Sequence, residues 1–277
     1  METIRLDALA AKQFHISAEE AAGLIMAGRV FLGGVPADKP GTPVPADSLL
    51  TLKEKARKYA SRSGYKLAKA LDVFAVDPAG MTACDIGASN GGFTDCLLQH
   101  GAAHVFAVDV AYGILAWELR EDARVTVMER TNARNLTLEQ LEAFGAAPLP
   151  CQLVTADVSF ISLKRIFPAA DRVLREDGEC LCLIKPQFEA QPRQLGKNGI
   201  LRNPEADLPP LLGSIFTAAA EQALYLTALT VSPIHGSNGN VEYLAHYRHG
   251  TPAEGCPPTP EFYSACMETA LCEQPDM

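Results

Sequence analysis

Asp85-Ile86-Gly87-Ala88-Ser89-Asn90-Gly91-Gly92-Phe93-Thr94-Asp95 is the stretch on which the fold turns. It follows a strand-like run, Met81 to Cys84, and opens a helix-like one, Phe93 to His100. A strand that ends in small residues and turns at once into a helix leaves a gap walled by backbone. A nucleotide-like ligand can then approach the main chain without meeting Cβ atoms. The same small residues also suit a helix packed closely on a strand. The G-x-G-x-x-G spacing of dinucleotide sites is absent.

The surrounding chain is that of an ordinary globular protein. Its 277 residues, 48% hydrophobic and 21% charged, suffice for one main domain plus a smaller one. No apolar run reaches the roughly 18 residues of a membrane span, and the acidic, amphipathic start Met1 to Asp7 is unlike a signal peptide. The eight cysteines form no C-x-x-C pair, and several fall in apolar strand-like runs. They read as reduced core thiols of a cytoplasmic protein, with neither a disulfide frame nor a metal site expected.

Net charge is −9, but residues 251–277 hold five acids and no Lys or Arg, and the rest of the chain stands at −4. Against this, Lys53, Lys55, Arg57, Lys58, Arg62, Lys66 and Lys69 crowd one short stretch opposed only by Glu54. Such a stripe is either a phosphate-binding surface or a solvated helical face.

Residues 1–60 stand apart as a small unit. Ile4 to Ala11 and Ala18 to Ala27 read as amphipathic helices, with Ser17 as N-cap of the second. Gly28 to Val35 reads as a strand with a tight turn, and Ser48 to Lys53 as a second strand. Residues 61–250 alternate between strands (81–86, 104–110, 124–129, 152–157, 179–184, 224–232, 241–247) and helices (93–100, 112–120, 137–143, 161–175, 206–222). That alternation predicts a parallel sheet covered on both faces, with ligands beyond the carboxyl ends of the strands. The last two strands have no helix between them and suit an antiparallel hairpin. Residues 251–277 form a Pro-rich acidic tail without a firm assignment.

Several polar residues close these strands. Asp109 ends the second, about 22 positions after the glycine turn begins, where an acid can accept ribose hydroxyls or cap the next helix. Asn132 follows the third strand, where an adenine-edge contact is expected. Asp157 ends the fourth and Lys185 the fifth, the latter reached through apolar Leu181 to Ile184 and stopped by Pro186. Lys66 precedes the sheet and Glu242 starts its last strand. Any one could serve a structural ion pair; all four at strand ends point to chemistry.

Three resemblances give these residues roles. R-L-D-x-L…A-x-x-L-I-x-x-G-x-V resembles the small RNA-binding domain of ribosomal-protein type, although Ser17-Ala18 and Gly33-Gly34 stand where that family shows Ser-Arg and Asn-Gly. Together with the basic stripe it points to RNA contacts at Arg5 and Arg29 and, along the stripe, at Lys53, Lys55, Arg57, Lys58 and Arg62. The D-x-G-x-x-x-G-G-F run is similar to the cofactor loop of S-adenosylmethionine (SAM) methyltransferases. It implies cofactor contacts at Asp85, Gly87, Ala88, Ser89, Gly91, Gly92 and Phe93, continued at Asp109, Val110 and Asn132. Lys66, Asp157, Lys185 and Glu242 resemble the K-D-K-E tetrad of FtsJ-type ribose 2′-O-methyltransferases.

The fuller set is similar to the TlyA, or haemolysin A, family. It comprises Ser61-Arg62-Ser63-Gly64-Tyr65-Lys66-Leu67, Asp157-Val158-Ser159-Phe160-Ile161-Ser162-Leu163, Ile184-Lys185-Pro186-Gln187-Phe188-Glu189 and Ser232-Pro233-Ile234…Gly239-Asn240-Val241-Glu242. The resemblance implies a Rossmann-like SAM methyltransferase sheet, mostly parallel with an antiparallel last strand. It further implies methylation of cytidine ribose in ribosomal RNA, free or in subunits, by a monomer or weak dimer without membrane contact.

A ribose hydroxyl is a poor nucleophile and must be oriented and deprotonated. Lys185 is therefore expected as base or hydroxyl-orienting group, Lys66 as its like-charge neighbour, Asp157 as its holder, and Glu242 as the residue that steers the lysines and the ribose. Base N-methylation is disfavoured because Asp157-Val158-Ser159-Phe160 replaces the usual [N/D]-P-P-[Y/F]. A cysteine-nucleophile route is disfavoured because Cys151 precedes the fourth strand. The remaining alternatives are a non-catalytic rRNA-binding or assembly protein and a haemolysin-like protein.

Overall fold

The computed structural model describes residues 3–37, 39–52, 58–145, 147–236, 239–252, 255 and 259–273. The chain divides into two compact units, residues 1–58 with 116–118, and residues 59–115 with 119–277.

In the first unit, β1 (Thr3–Arg5) leads into α1 (Leu6–Phe14) and α2 (Ala18–Met26), followed by β2 (Val30–Leu32), β3 (Val35–Pro36), β4 (Pro43–Pro45) and β5 (Leu50–Leu52). The expected first helix starts two residues late because Thr3–Arg5 pairs with Pro43–Pro45. The Leu6 and Asp7 amides then donate to Thr42 and Pro40 carbonyls, which satisfies two donors of the first turn. Leu6, Leu9 and Ala10, at i, i+3 and i+4, face Ala21, Ile25, Val30, Val44 and Leu50 in a small core. Ser17 caps α2 as expected, accepting from the Glu20 amide. Gly33 and Gly34, at φ +58° and +82°, make the two-residue β2–β3 turn, a geometry open to glycine at both positions.

The second unit begins with α3 (Ser63–Val73), a helix the sequence pattern did not single out. There follow β6 (Thr82–Ile86), α4 (Gly92–Gln99), β7 (His104–Val108), α5 (Trp117–Arg120), β8 (Val125–Met128), α6 (Leu138–Glu142), β9 (Cys151–Ala156), α7 (Phe167–Val173), β10 (Leu174–Ile184), α8 (Pro186–Glu189), α9 (Pro204–Ala220), β11 (Leu224–Val231), β12 (Tyr243–His249) and α10 (Pro260–Cys272).

Among the described residues a seven-stranded sheet runs in the order β11-β12-β10-β9-β6-β7-β8. β10, β9, β6, β7 and β8 are mutually parallel, and β12 is antiparallel to both β10 and β11. This is the expected Rossmann-like methyltransferase sheet. Strand order reverses between β6 and β9, so the crevice beyond their carboxyl ends is the natural ligand site.

Three expected elements differ. The helix predicted over 161–175 is a 3₁₀ turn (Leu163–Arg165) followed by α7. Pro168 lies in the first turn of α7, where its missing N–H costs nothing, and Leu174 already pairs with Cys151 as β10 begins. The helix predicted over 112–120 shortens to Trp117–Arg120. Within the stretch 251–277, α10 buries Tyr263, Met267 and Ala270 in the main core. There Glu273 accepts from the Thr230 hydroxyl (2.5 Å) and the Val231 amide (3.0 Å), so the acidic segment is stitched to the sheet.

Candidate active site

A cleft of about 190 Å³ opens at the carboxyl ends of β6, β9 and β10. One wall is the glycine loop (Gly87, Ala88, Ser89) with Phe93 of α4. A second is the hydroxyl pair Ser61 and Ser63 just before α3, and the end wall is Asp157, Ser159 and Lys185.

Chain-on-chain packing explains the glycines around this cleft. Gly87, at φ +86°, lies where a Cβ would stand 2.6 Å from the Asp157 carbonyl oxygen. Gly91, at φ +91°, faces the Leu119 and Leu115 side chains. A Cβ on Gly92 would meet the Ser61 and Ser63 hydroxyls, and one on Gly64 would meet Tyr59 and, at 2.8 Å, the Gly92 carbonyl. The starts of α3 and α4 thus touch through two glycines, which places Ser61 and Ser63 on the cleft. Asp95, at the end of the glycine run, completes the join by accepting from the Ala60 amide (2.6 Å). Bare backbone for ligand approach was the expectation for Gly87 and Gly91; the Cβ directions there are filled by Asp157 and by two leucines, while Gly87 itself still lines the cleft.

Asp85 departs from its expected cofactor contact. It is fully buried beneath the loop and absent from the cleft wall. Its oxygens accept from Thr94 (2.7 Å) and Thr155 (2.9 Å), and burial pushes its carboxyl up to about 7. It clasps β6, α4 and β9 together. Asp109 accepts the Ser89 and Ala111 amides, each at 2.8 Å. Each of its oxygens keeps a second lone pair, so capping the turn and accepting ribose hydroxyls are compatible. Asn132 caps a 3₁₀ turn by accepting from the Arg134 amide (3.2 Å), and Val110 is exposed beside Asp109.

The four tetrad candidates resolve into two ion pairs. Lys66 of α3 donates to Glu242 at 2.5 Å, both nearly buried. Lys185 lies 2.7 Å from Asp157 and donates to the Ser159 hydroxyl at 2.9 Å. The β10–β12 register pairs Ile184 with Tyr243, so Lys185 follows the end of β10 where Glu242 precedes the start of β12. Only the second pair lines the cleft.

Ser61, Ser63 and Ser159 were not singled out from the sequence, although all three lie inside motifs that were; a lone serine carries no spacing signal. Phe160 is the other addition. It is 91% exposed, sits at φ +62°, and its ring lies 5.0 Å from that of Phe188. A bulky residue in the left-handed region beside a cleft is a marker of function.

Of the expected RNA contacts, Lys53, Lys55 and Arg57 lie outside the described residues. Lys58 and Arg62 are exposed, and Arg29 sits in the turn between α2 and β2. Arg5 is exposed but paired with Asp7 at 2.5 Å. The stripe does not extend through Lys66 and Lys69, which face Glu242 and Glu273. Cys151 is buried at the start of β9, the end of the strand remote from the cleft, and burial pushes its thiol up to about 12, which disqualifies it as a nucleophile. Among the described residues no group of His, Cys, Asp and Glu is arranged to hold a metal, and no helix is long and apolar enough to cross a membrane.

Residues 59–249 match the FtsJ-like methyltransferase family, and residues 4–49 match the S4 domain. The chain is 44% identical over 236 residues to the 16S/23S rRNA (cytidine-2′-O)-methyltransferase TlyA of Mycobacterium tuberculosis, covering 85% of each. It is 45% identical over 237 residues to YqxC of Bacillus subtilis, a candidate rRNA methyltransferase, covering 86% of this chain and 82% of that protein. A solved structure described as a candidate hemolysin from Streptococcus thermophilus is 38% identical with a TM-score of 0.68, covering 97% of each chain.

Proposed function

The chain belongs to the FtsJ-like methyltransferase family, and from that premise we propose that it methylates the 2′-hydroxyl of cytidine in ribosomal RNA. It is an enzyme, and its methyl donor is SAM. The observation that carries the reading is the end wall of the cleft. There the Lys185 ammonium, fixed by Asp157 and Ser159 at 2.7 and 2.9 Å, is presented to the ligand space beside the glycine loop.

The residues fit the donor. Short side chains and backbone from Gly87 to Ser89 bound one side, and the Asp109 oxygens retain acceptor capacity for ribose hydroxyls. Bound SAM would supply an electrophilic methyl group. Lys185 and Asp157 act on the acceptor. The Lys185 Nζ donates to the Ser159 hydroxyl and lies within ion-pair reach of Asp157. An uncommitted Nζ position can donate to a ribose oxygen from the ammonium form, or accept the hydroxyl proton as the free amine. Lys66 and Glu242 neutralise one another under the same strand ends and hold α3 against β12. Phe160, exposed next to Phe188, offers a ring on which a base can stack, the usual way single-stranded RNA is held.

The S4 domain supports RNA as the partner. Residues 1–60 are then the RNA-binding part and residues 61–250 the catalytic one, working in the cytoplasm where ribosomal RNA is found. The deciding experiment incubates the protein with methyl-labelled SAM and ribosomal RNA or subunits and maps the label. Label at a cytidine that becomes resistant to alkaline cleavage is expected. Label on a base, or none on any rRNA preparation, would refute the reading.

A further inference from the structure

Two segments leave the sheet at the cleft and carry its chemistry: residues 157–163 after β9, with Asp157, Ser159 and Phe160, and residues 185–189 after β10, with Lys185 and Phe188. They lie in different βα connections, and Phe160 is held in a strained conformation at φ +62°. Something must keep them in register. Near the cleft the ties are Lys185 to Asp157 and Ser159, and Phe160 against Phe188. At the far end there is one more. Glu189, the last residue of α8, accepts from the Ser162 hydroxyl at 2.6 Å and from the Leu163 amide at 2.7 Å. Ser162 in turn caps the following 3₁₀ turn by accepting from the Lys164 amide at 3.2 Å.

Glu189 is partly buried, and an acid taken from water is tolerated only where donors replace the lost hydration. Its two oxygens, each with a donor from the opposite segment, meet that condition. Burial is also the main cause that raises its carboxyl above the ordinary range. None of these contacts touches the cleft wall, and the reading of the reaction given above assigns Glu189, Ser162 and Leu163 no part.

We infer that Glu189 is a positioning residue for methyl transfer, a clasp that sets Asp157 and Phe160 against Lys185 and Phe188. The inference rests on the methyltransferase reading. Release of the clasp should let the 157–163 segment relax from its strained form and misplace the groups that act on the hydroxyl. Misplacement of reacting groups by about 1 Å costs roughly 10²-fold in rate, while the SAM side of the cleft, built on β6 and α4, is untouched.

The test compares Glu189→Ala and Glu189→Gln with wild type in full-length protein. The measurements are kcat for rRNA methylation, SAM affinity by calorimetry, and amide exchange of residues 157–163. Glu189→Ala should lower kcat by roughly 10- to 100-fold, leave SAM affinity nearly unchanged, and lose exchange protection in this segment alone. Glu189→Gln should recover most of the rate. Its carbonyl can accept from Leu163, and its amide can donate to Ser162, whose oxygen has a lone pair to spare.

Wild-type kcat in Glu189→Ala would overturn the inference. So would unchanged exchange at 157–163, or a loss of protection spread over the whole unit, which would mark a general packing role. A wild-type protein that methylates no rRNA would refute the substrate reading instead, and the exchange of the Leu163 amide in the two variants would still report whether the clasp exists.

Discussion

At the scale of single residues, the cleft turns on Lys185. It donates to Ser159 and is ion-paired with Asp157, so its role depends on what an uncommitted Nζ position does. Lys185→Ala should lower methyl transfer by roughly 10² to 10⁴-fold if it acts as the base, with SAM and RNA affinities changed far less. Single-turnover kinetics alongside binding titrations would separate the two. Lys185→Arg should not rescue the rate, because a guanidinium stays protonated and cannot take the hydroxyl proton. An active arginine variant would mean that the residue only orients the ribose. The residue types were legible in the chain, since a lysine after four apolar residues invites explanation. Their pairing was not. Lys185 and Glu242 flank the last register pair of β10 and β12, yet Glu242 pairs with Lys66, which arrives from a helix 176 positions away in sequence.

At the scale of elements, the strand-to-helix turn at β6 and α4 is built from a buried acid and several glycines. Asp85 ties Thr94 of α4 to Thr155 of β9. Burial is the largest cause of its raised carboxyl, the nearby Asp157 charge adds to it, and the two threonine hydroxyls oppose it. The folded value is about 7 against an ordinary 3.8, so between those values the folded protein binds the proton that the unfolded chain has lost. Stability contributed at this site therefore falls as pH rises from 4 to 7 and is lost above 7. The full change is at most about 4 kcal/mol. Asp85→Asn should flatten this part of the stability profile, as measured by urea unfolding at a series of pH values. An unchanged slope in the variant would assign the dependence to other groups. The glycine spacing announced a tight turn, and the turn is there. That the glycines make room for Asp157, Leu115, Leu119 and the Ser61–Ser63 pair depended on which segments come back to meet them.

At the scale of the whole molecule, the chain forms two compact units, and the proposed function gives recognition to the first and chemistry to the second. Removal of residues 1–58 should preserve SAM binding and abolish rRNA methylation. RNA affinity of the intact protein should fall steeply with salt, because phosphate contacts release counterions. Filter binding at several salt concentrations checks this; a flat dependence would argue against a basic contact surface. Much of this organisation could be read from the chain alone. Hydrophobic period and turn residues act locally, so the alternation of strands and helices, the S4-like amino-terminal unit and the polar residues at strand ends were all visible in sequence. Elements whose state rests on distant partners were not. α10 is a helix in a stretch that read as an acidic tail, and its place depends on burying Tyr263 and Met267 against the sheet. Residues 174–175 read as helix and became strand because Leu174 meets Cys151. The sequence by itself determined a methyltransferase sheet with Asp157, Lys185 and Glu242 at strand ends and Lys66 ahead of the sheet. Only the tertiary structure decided that those residues form two ion pairs, that Asp85 is buried, and that Ser61, Ser63 and Ser159 face the cleft. The physical reason is that each of these facts is a meeting between segments far apart in the chain, set by packing and register.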